Sequence, residues 1–220
     1  MTFISLKNVF LRGDKSDKYE ILKNINIEVN RHDFIVFKGS SGSGKTKILE
    51  LISLKRRPSS GGILYKDKNI SDIKSKDLNQ IKSKIGFAGE TPVVMEDKSV
   101  YENIEYALKL KKFPKDQWFE NTVNTLKLSS LTNKRDVITK KLSSTEKKLL
   151  GLSIVYLGNI ELLICDYNFY DLSRENPFIK ILKKFSLNRG PVAVSAVPEA
   201  KIELSVSNVY NLKKGEIRGI

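Results

Sequence analysis

Gly39-Ser40-Ser41-Gly42-Ser43-Gly44-Lys45-Thr46 matches the phosphate-loop pattern G-x-x-x-x-G-K-[ST] at every position. Glycines let the backbone turn tightly, so that successive N–H groups point inward at phosphate oxygens, and the N-terminus of the following helix adds its dipole. In such a loop the ammonium of Lys45 reaches the β and γ phosphates and the hydroxyl of Thr46 ligates Mg2+. The flanks supply the context that the pattern needs. Phe34-Ile35-Val36-Phe37 is a short apolar run of buried-strand type, and after Thr46 the residues Ile48, Leu49, Leu51, Ile52 and Leu54 recur at helical spacing. The alternative is a serine-rich surface turn, and the order strand, loop, helix argues against it. The stretch therefore reads as a nucleoside triphosphate site, with ATP and Mg2+ as the expected ligands.

A chain of 220 residues that is 40% hydrophobic can bury one good core, and a single domain over 1–220 is expected. The apolar stretch from Leu149 to Leu157 is broken at once by Gly158, Asn159 and Glu161, well short of the roughly 20 residues a membrane span needs. The opening MTFISLKNVF alternates apolar with polar residues and reads as a strand, not as a signal peptide, so a cytoplasmic location is expected. The single cysteine, Cys165, lies in an apolar run and reads as a small buried hydrophobe. Lys and Arg outnumber Asp and Glu by 39 to 25, a net charge of +14 that attracts polyanions in general. No recognised nucleic-acid motif accompanies that charge, so no specific nucleic-acid partner is expected.

Along the chain a β-rich opening gives way to alternating strands and helices, which argues for an α/β fold. Ile21 to Val29 alternates as a strand, and the turn Pro58-Ser-Ser-Gly-Gly62 is expected to stop the helix after the loop. Ser99-Val-Tyr-Glu102 and Ser143-Ser-Thr-Glu146 have the form of capping boxes and predict helix starts. Pro114 suits the first turn of a helix carrying Trp118, Phe119, Val123 and Leu126. Glu161 to Asp166 and Pro191 to Ser195 read as buried strands, and Asn208 to Arg218 as a closing hairpin.

Beyond the loop, Arg57-Pro-Ser-Ser-Gly-Gly62, Asn69-Ile-Ser-Asp-Ile-Lys74, Lys84-Ile-Gly-Phe87 and Asp97-Lys-Ser-Val-Tyr-Glu-Asn-Ile104 follow one another in a familiar order and spacing. Through them the chain resembles the nucleotide-binding subunits of ABC-type ATPases over nearly its whole length, and within that family the bacterial cell-division type FtsE. Lipoprotein- and macrolide-export subunits are the alternative relatives. The resemblance implies an α/β P-loop fold with a mixed sheet core, an antiparallel β lobe and a helical lobe inserted over roughly residues 91–144. It also implies a homodimer on ATP binding and a peripheral position on the inner face of the cell membrane. The implied partner is an FtsX-like integral membrane protein, and the implied task is control of peptidoglycan hydrolases during cell division. Val93 to Met95 is a candidate contact with that partner, with internal packing as the other reading.

Laid on the family's pattern, the chain departs from it where hydrolysis is normally carried. The signature LSGGE reads Leu142-Ser143-Ser144-Thr145-Glu146, which keeps the phosphate-binding hydroxyl of Ser143 but replaces two glycines. Asp166 remains to hold Mg2+, whereas the catalytic glutamate after it is Tyr167, a poor base at neutral pH. The family's switch histidine is expected at Val197, and the only histidine of the chain is His32, before the loop. Glu90 stands in place of the Q-loop glutamine, and three readings remain for it: metal ligand, displaced base, or ordinary solvated acid. Asp171-Leu-Ser173 replaces the usual D-loop. Phe10 and Tyr19 are both candidates to stack on the adenine, the insertion around Gly13 to Lys18 leaving the register open. Weak or absent hydrolysis is expected, with an active ATPase using an unconventional base as the competing reading.

Overall fold

β1 (Thr2–Gly13) and β2 (Ser16–Asn30) pair antiparallel, and β1 pairs on its other edge with β4 (Ser60–Tyr65), which carries the two-residue β5 (Lys68–Asn69). These four strands form a separate antiparallel sheet in the order β2-β1-β4-β5. The computed structural model describes residues 2–13 and 16–218, so Asp14 and Lys15, within the expected insertion, lie outside the described residues. Ile4, Leu6, Val9 and Leu11 lie inside, but Phe3 and Ser5 are buried as well, so the start of β1 is covered on both faces and the alternation read there does not translate into alternating burial.

The second sheet has six strands in the order β10-β9-β3-β8-β7-β6. β3 (Phe34–Lys38), β6 (Ile85–Ala88), β7 (Leu162–Leu172), β8 (Val192–Ile202) and β9 (Asn208–Lys213) run parallel, and β10 (Glu216–Ile217) returns antiparallel beside β9. Phe34, Ile35, Val36 and Phe37 are all buried, because helices or the first sheet cover both faces of the strand. On one side α1 (Lys45–Ile52) sinks Ile48, Leu49, Leu51 and Ile52 into a core shared with β1 and β2, while α2 (Ser75–Ser83) contributes Leu78. On the other side α6 (Pro177–Asn188) packs Ile181, Leu182 and Phe185 against Leu163, Cys165, Val192 and Val194. A third cluster joins α3 (Val100–Leu110) and α4 (Trp118–Leu128) to Leu150 of α5 (Ser144–Tyr156). This mixed sheet with an antiparallel β lobe and a helical lobe is the arrangement that the sequence resemblance implies.

Both capping boxes are present, Ser99 with Glu102 at the start of α3 and Ser143 with Glu146 at the start of α5. Cys165 is fully buried. Several boundaries differ from the sequence-based expectation. α1 ends at Ile52, and Leu54 leaves the helix with φ of 58°. The turn at Pro58 is shorter than read, since Ser60, Gly61 and Gly62 already pair in β4. Pro114 caps a short 3-10 turn over Lys115–Gln117 that leads into α4. β7 and β8 both run past their expected ends and stay paired, Asp171 with Lys201 and Leu172 with Ile202. The D-loop segment Asp171-Leu172 is thus drawn into strand by a partner that local sequence does not reveal.

Candidate nucleotide site

The loop after β3 is clamped from three sides. The Gly39 N–H donates to the Ala196 carbonyl at the start of the β8 extension (3.2 Å), and the Gly215 N–H of the β9–β10 turn donates to the Ser43 carbonyl (3.2 Å). Gly44, at φ of 106°, opens α1, and a Cβ there would lie 2.6 Å from a methyl of Leu22 on β2. A side chain is excluded twice over, by backbone conformation and by space. The outer rim is open: Ser40, Ser41 and Gly42 are exposed, and no atom lies within 4 Å of where a Gly42 Cβ would be. No side chain caps the N-terminus of α1 and no acid sits in its first turn. The first N–H groups of that helix therefore need a partner from outside, the condition for an anion site.

Lys45 is almost wholly buried at 6% exposure, and its Nζ donates to the carbonyls of Gly39 (2.5 Å) and Ser40 (2.9 Å). Burial lowers its pKa, an effect opposed by the carboxylates of Asp166 and Glu90, so these three side chains share one electrostatic neighbourhood. Thr46 is exposed on the first turn of α1. Asp166 is 4% exposed in β7, and its Oδ1 is buried with no hydrogen-bond partner. The Oγ of Ser43 is orphaned in the same way. A buried carboxylate oxygen without a donor is costly unless something outside the chain satisfies it. Among the described residues no group of three or more His, Cys, Asp or Glu gathers that could hold a metal by itself. That donor set fits Mg2+, which takes one or two protein oxygens and leaves the rest of its shell to phosphate and water.

The remaining expected residues divide. Glu90 is exposed beside the site and accepts from the side-chain amide of Asn168 at 2.8 Å. Tyr167 turns away: its ring packs edge-on to Phe178 (5.3 Å) and its hydroxyl donates to the Lys148 carbonyl on α5 (3.1 Å). Burial pushes its pKa above the ordinary phenol value, which favours the protonated phenol and makes it a still poorer base at neutral pH. Val197 packs partly buried against the core cluster that holds Val194 and Ala196, and the residue before it, Ala196, meets the phosphate loop through its backbone carbonyl. Ser143 spends its amide and hydroxyl on Glu146, which Lys134 neutralises at 2.5 Å. Ser144 and Thr145 are exposed beside it. Phe10 is half-buried in β1, whereas Tyr19 is 69% exposed on β2, two residues before the Ile21 carbonyl that abuts Gly44.

Sequence reasoning missed Asn168. It sits at φ of 50°, its N–H donates to the buried Ser195 hydroxyl (2.9 Å), and its Oδ1 is buried without a partner. The one signal available was its place two residues after Asp166, and no pattern assigns an asparagine there.

The ABC transporter family profile matches residues 22–168, two thirds of the chain and all of the phosphate-loop segment. The chain belongs to the ABC transporter family. Members bind ATP, typically with Mg2+, through a loop of this kind, pair as dimers and work with membrane permeases. Among curated proteins it is similar to the methionine import ATP-binding protein MetN 1 of Enterococcus faecalis, 24% identical over 93% of this chain and 58% of that protein. It is likewise similar to MetN of Helicobacter pylori, 30% identical over 74% of this chain and 49% of that one. The chain thus spans about half the length of the curated relatives it matches. Among solved structures it resembles the dimeric cassette MJ0796 in a post-hydrolysis state bound to ADP and Pi, with a TM-score of 0.79, 21% identity and 99% and 100% coverage. It also resembles cbiO1 of Clostridium perfringens, part of the transporter complex cbiONQ, with a TM-score of 0.81, 23% identity and 99% and 87% coverage. These likenesses show the fold. No described helix is long and apolar enough to cross a membrane.

Proposed function

We propose that this chain is the nucleotide-holding, hydrolysis-impaired subunit of an ABC complex, which binds ATP with Mg2+ and passes its bound state to an integral membrane partner. The observation that carries the reading is the environment of Tyr167. The position after Asp166 holds no carboxylate, and the tyrosine there is anchored to Lys148 and Phe178, facing away from the phosphate loop. The loop N–H groups and Lys45 bind the phosphates, and Thr46 and Asp166 hold Mg2+, which supplies charge neutralisation when bound. Glu90, tethered by Asn168, adds a second carboxylate to Asp166 in the neighbourhood of Lys45. Tyr19 stacks on the base.

Tyr167 also lines a groove of about 400 Å3 with Pro92, Val94, Met95, Tyr106 and Gly151. Val93 stands 93% exposed at its rim. A short apolar segment of a membrane protein fits there, directly behind the strand that carries Asp166. Two copies close head to tail on ATP, with Ser143 of each facing the other's loop. The side chains of Ser144 and Thr145, together with the Glu146 carboxylate, weaken that closure.

The FtsE resemblance implies an FtsX-like partner and, with it, control of peptidoglycan hydrolysis at cell division. The MetN likeness favours a second reading, the ATP-binding subunit of a methionine-type importer. Nucleotide binding and turnover, measured together on the purified protein and on its complex with a co-expressed membrane partner, test the proposal. Tight ATP binding with turnover far below about 1 per second supports it, and turnover at or above that rate which collapses in Lys45→Ala overturns it. Co-purification with a four-span FtsX-like protein or with an importer permease, and loss of the complex in Val93→Lys, separates the two partner readings.

A further inference from the structure

Where β3, β7 and β8 begin, at the opposite end of the parallel strands from the phosphate loop, an open cleft of about 1240 Å3 is lined by Arg31, Lys111, Lys112, Lys127, Lys184 and Arg189. These six cations arrive from four separate segments: the turn before β3, the end of α3, the last turn of α4, and α6 with the turn after it. Among the described residues none of the six forms an ion pair, although carboxylates elsewhere are extensively paired. The single carboxylate on the lining, Glu161, is already taken by Lys66 at 2.9 Å and Lys84 at 2.7 Å. The Lys111 stem lies open, but its ammonium is drawn against the Leu157 carbonyl at 2.7 Å, and desolvation there lowers its pKa. A concave wall of like charges with no counter-charge of its own focuses a strong positive potential and is stabilised by an anion from outside.

The chemistry of the lining narrows what that anion is. Four of the six cations are lysines, point charges that meet phosphate oxygens in any orientation. One arm of the Arg189 guanidinium, Nη1, already donates to the carbonyls of Tyr156 (2.8 Å) and Gly158 (3.0 Å), which fixes its orientation on the cleft wall. Neither aromatic ring on the lining is a platform for a stacked base. Arg189 covers Tyr156 at 4.3 Å and Phe185 meets it edge-on, while Phe113 packs against the helical cluster. The cleft is also larger than the roughly 300–1,000 Å3 of an ordinary small-ligand pocket, so the charges suit an extended chain more than a single ion.

We propose that this cleft is a second, non-nucleotide site that binds a soluble inorganic phosphate chain of several linked phosphates. The test is calorimetric titration of the full chain carrying Lys45→Ala, which weakens the phosphate loop as a competing site, with inorganic tripolyphosphate and with a longer polyphosphate. Saturable binding is expected, tighter for the longer chain and weakened by salt. Lys112→Gln, Lys127→Gln and Lys184→Gln combined should lower the affinity at least tenfold, and since none of the three has an ion pair to lose, the fold should stay intact. Lys68→Gln, Lys76→Gln and Lys82→Gln, which remove the same charge outside the cleft, should change it less than twofold. Equal losses in the two triple variants, absence of saturable binding, or tighter binding of a single-stranded RNA or an acidic peptide of equal charge would each overturn the proposal.

Discussion

The side-chain amide of Asn168 donates to the Glu90 carboxylate at 2.8 Å, tying the segment after Asp166 to the loop after β6. Asp166 and Glu90 both act electrostatically on Lys45, so the tether decides how much negative charge stands beside the phosphate loop. Glu90→Gln removes one of those charges. Metal-free ATP should then bind a few-fold more tightly, and the enhancement of binding by Mg2+ should fall about tenfold if Glu90 is a ligand. Fluorescent-nucleotide titrations with and without Mg2+ read both numbers. No change in either would make Glu90 an ordinary solvated acid.

Tyr167→Phe keeps the ring against Phe178 and removes only the hydrogen bond to the Lys148 carbonyl. Denaturant unfolding should show a loss of about 1 kcal/mol, with nucleotide affinity and any residual turnover unchanged. A large drop in turnover would mean that the phenol takes part in chemistry.

Lys45→Ala deletes the loop ammonium, which the Gly39 and Ser40 carbonyls already hold in place. ATP affinity should fall by about 100-fold or more, since charge-assisted contacts to phosphate are the strong ones. Thermal unfolding in the absence of nucleotide should shift little. Retention of ATP affinity would place the nucleotide somewhere other than the 39–46 loop.

Glu161 links the two sheets through Lys66 and Lys84. Burial alone would raise its carboxyl, but hydrogen bonds from the two lysines outweigh that effect and hold the pKa at about 2, against 4.5 for a free side chain. A depressed pKa means that the folded state prefers the ionised form. The associated stability is present above pH 4.5 and is lost as pH falls from there toward 2. Because both lysines are partly exposed, the contribution is about 1 kcal/mol. Glu161→Gln should cost that much at pH 7 and flatten the stability profile in the acid window, and an unchanged acid profile would refute the assignment.

The local chemistry of the chain was legible residue by residue. The phosphate loop, the strand and helix around it, both capping boxes and the burial of Cys165 each depend on neighbours a few positions away, and all are found in the structure. Asn168, the position of Ala196 and the inward turn of Tyr167 were not legible. Each depends on segments that only the fold brings together: Asn168 meets Ser195, Ala196 meets Gly39, and Tyr167 meets Lys148 and Phe178.

The sequence by itself therefore determined that this protein has a phosphate-binding loop on a strand–helix junction and lacks a glutamate after Asp166. A glycine pattern and a side-chain identity are local facts. Only the tertiary structure decided that the Tyr167 phenol faces Lys148 and a groove, that Asn168 holds Glu90 beside Lys45, and that six cations with no ion pair among the described residues line one cleft. The physical reason is that charge and hydrogen-bond complementarity act through space, between segments whose separation along the chain carries no signal.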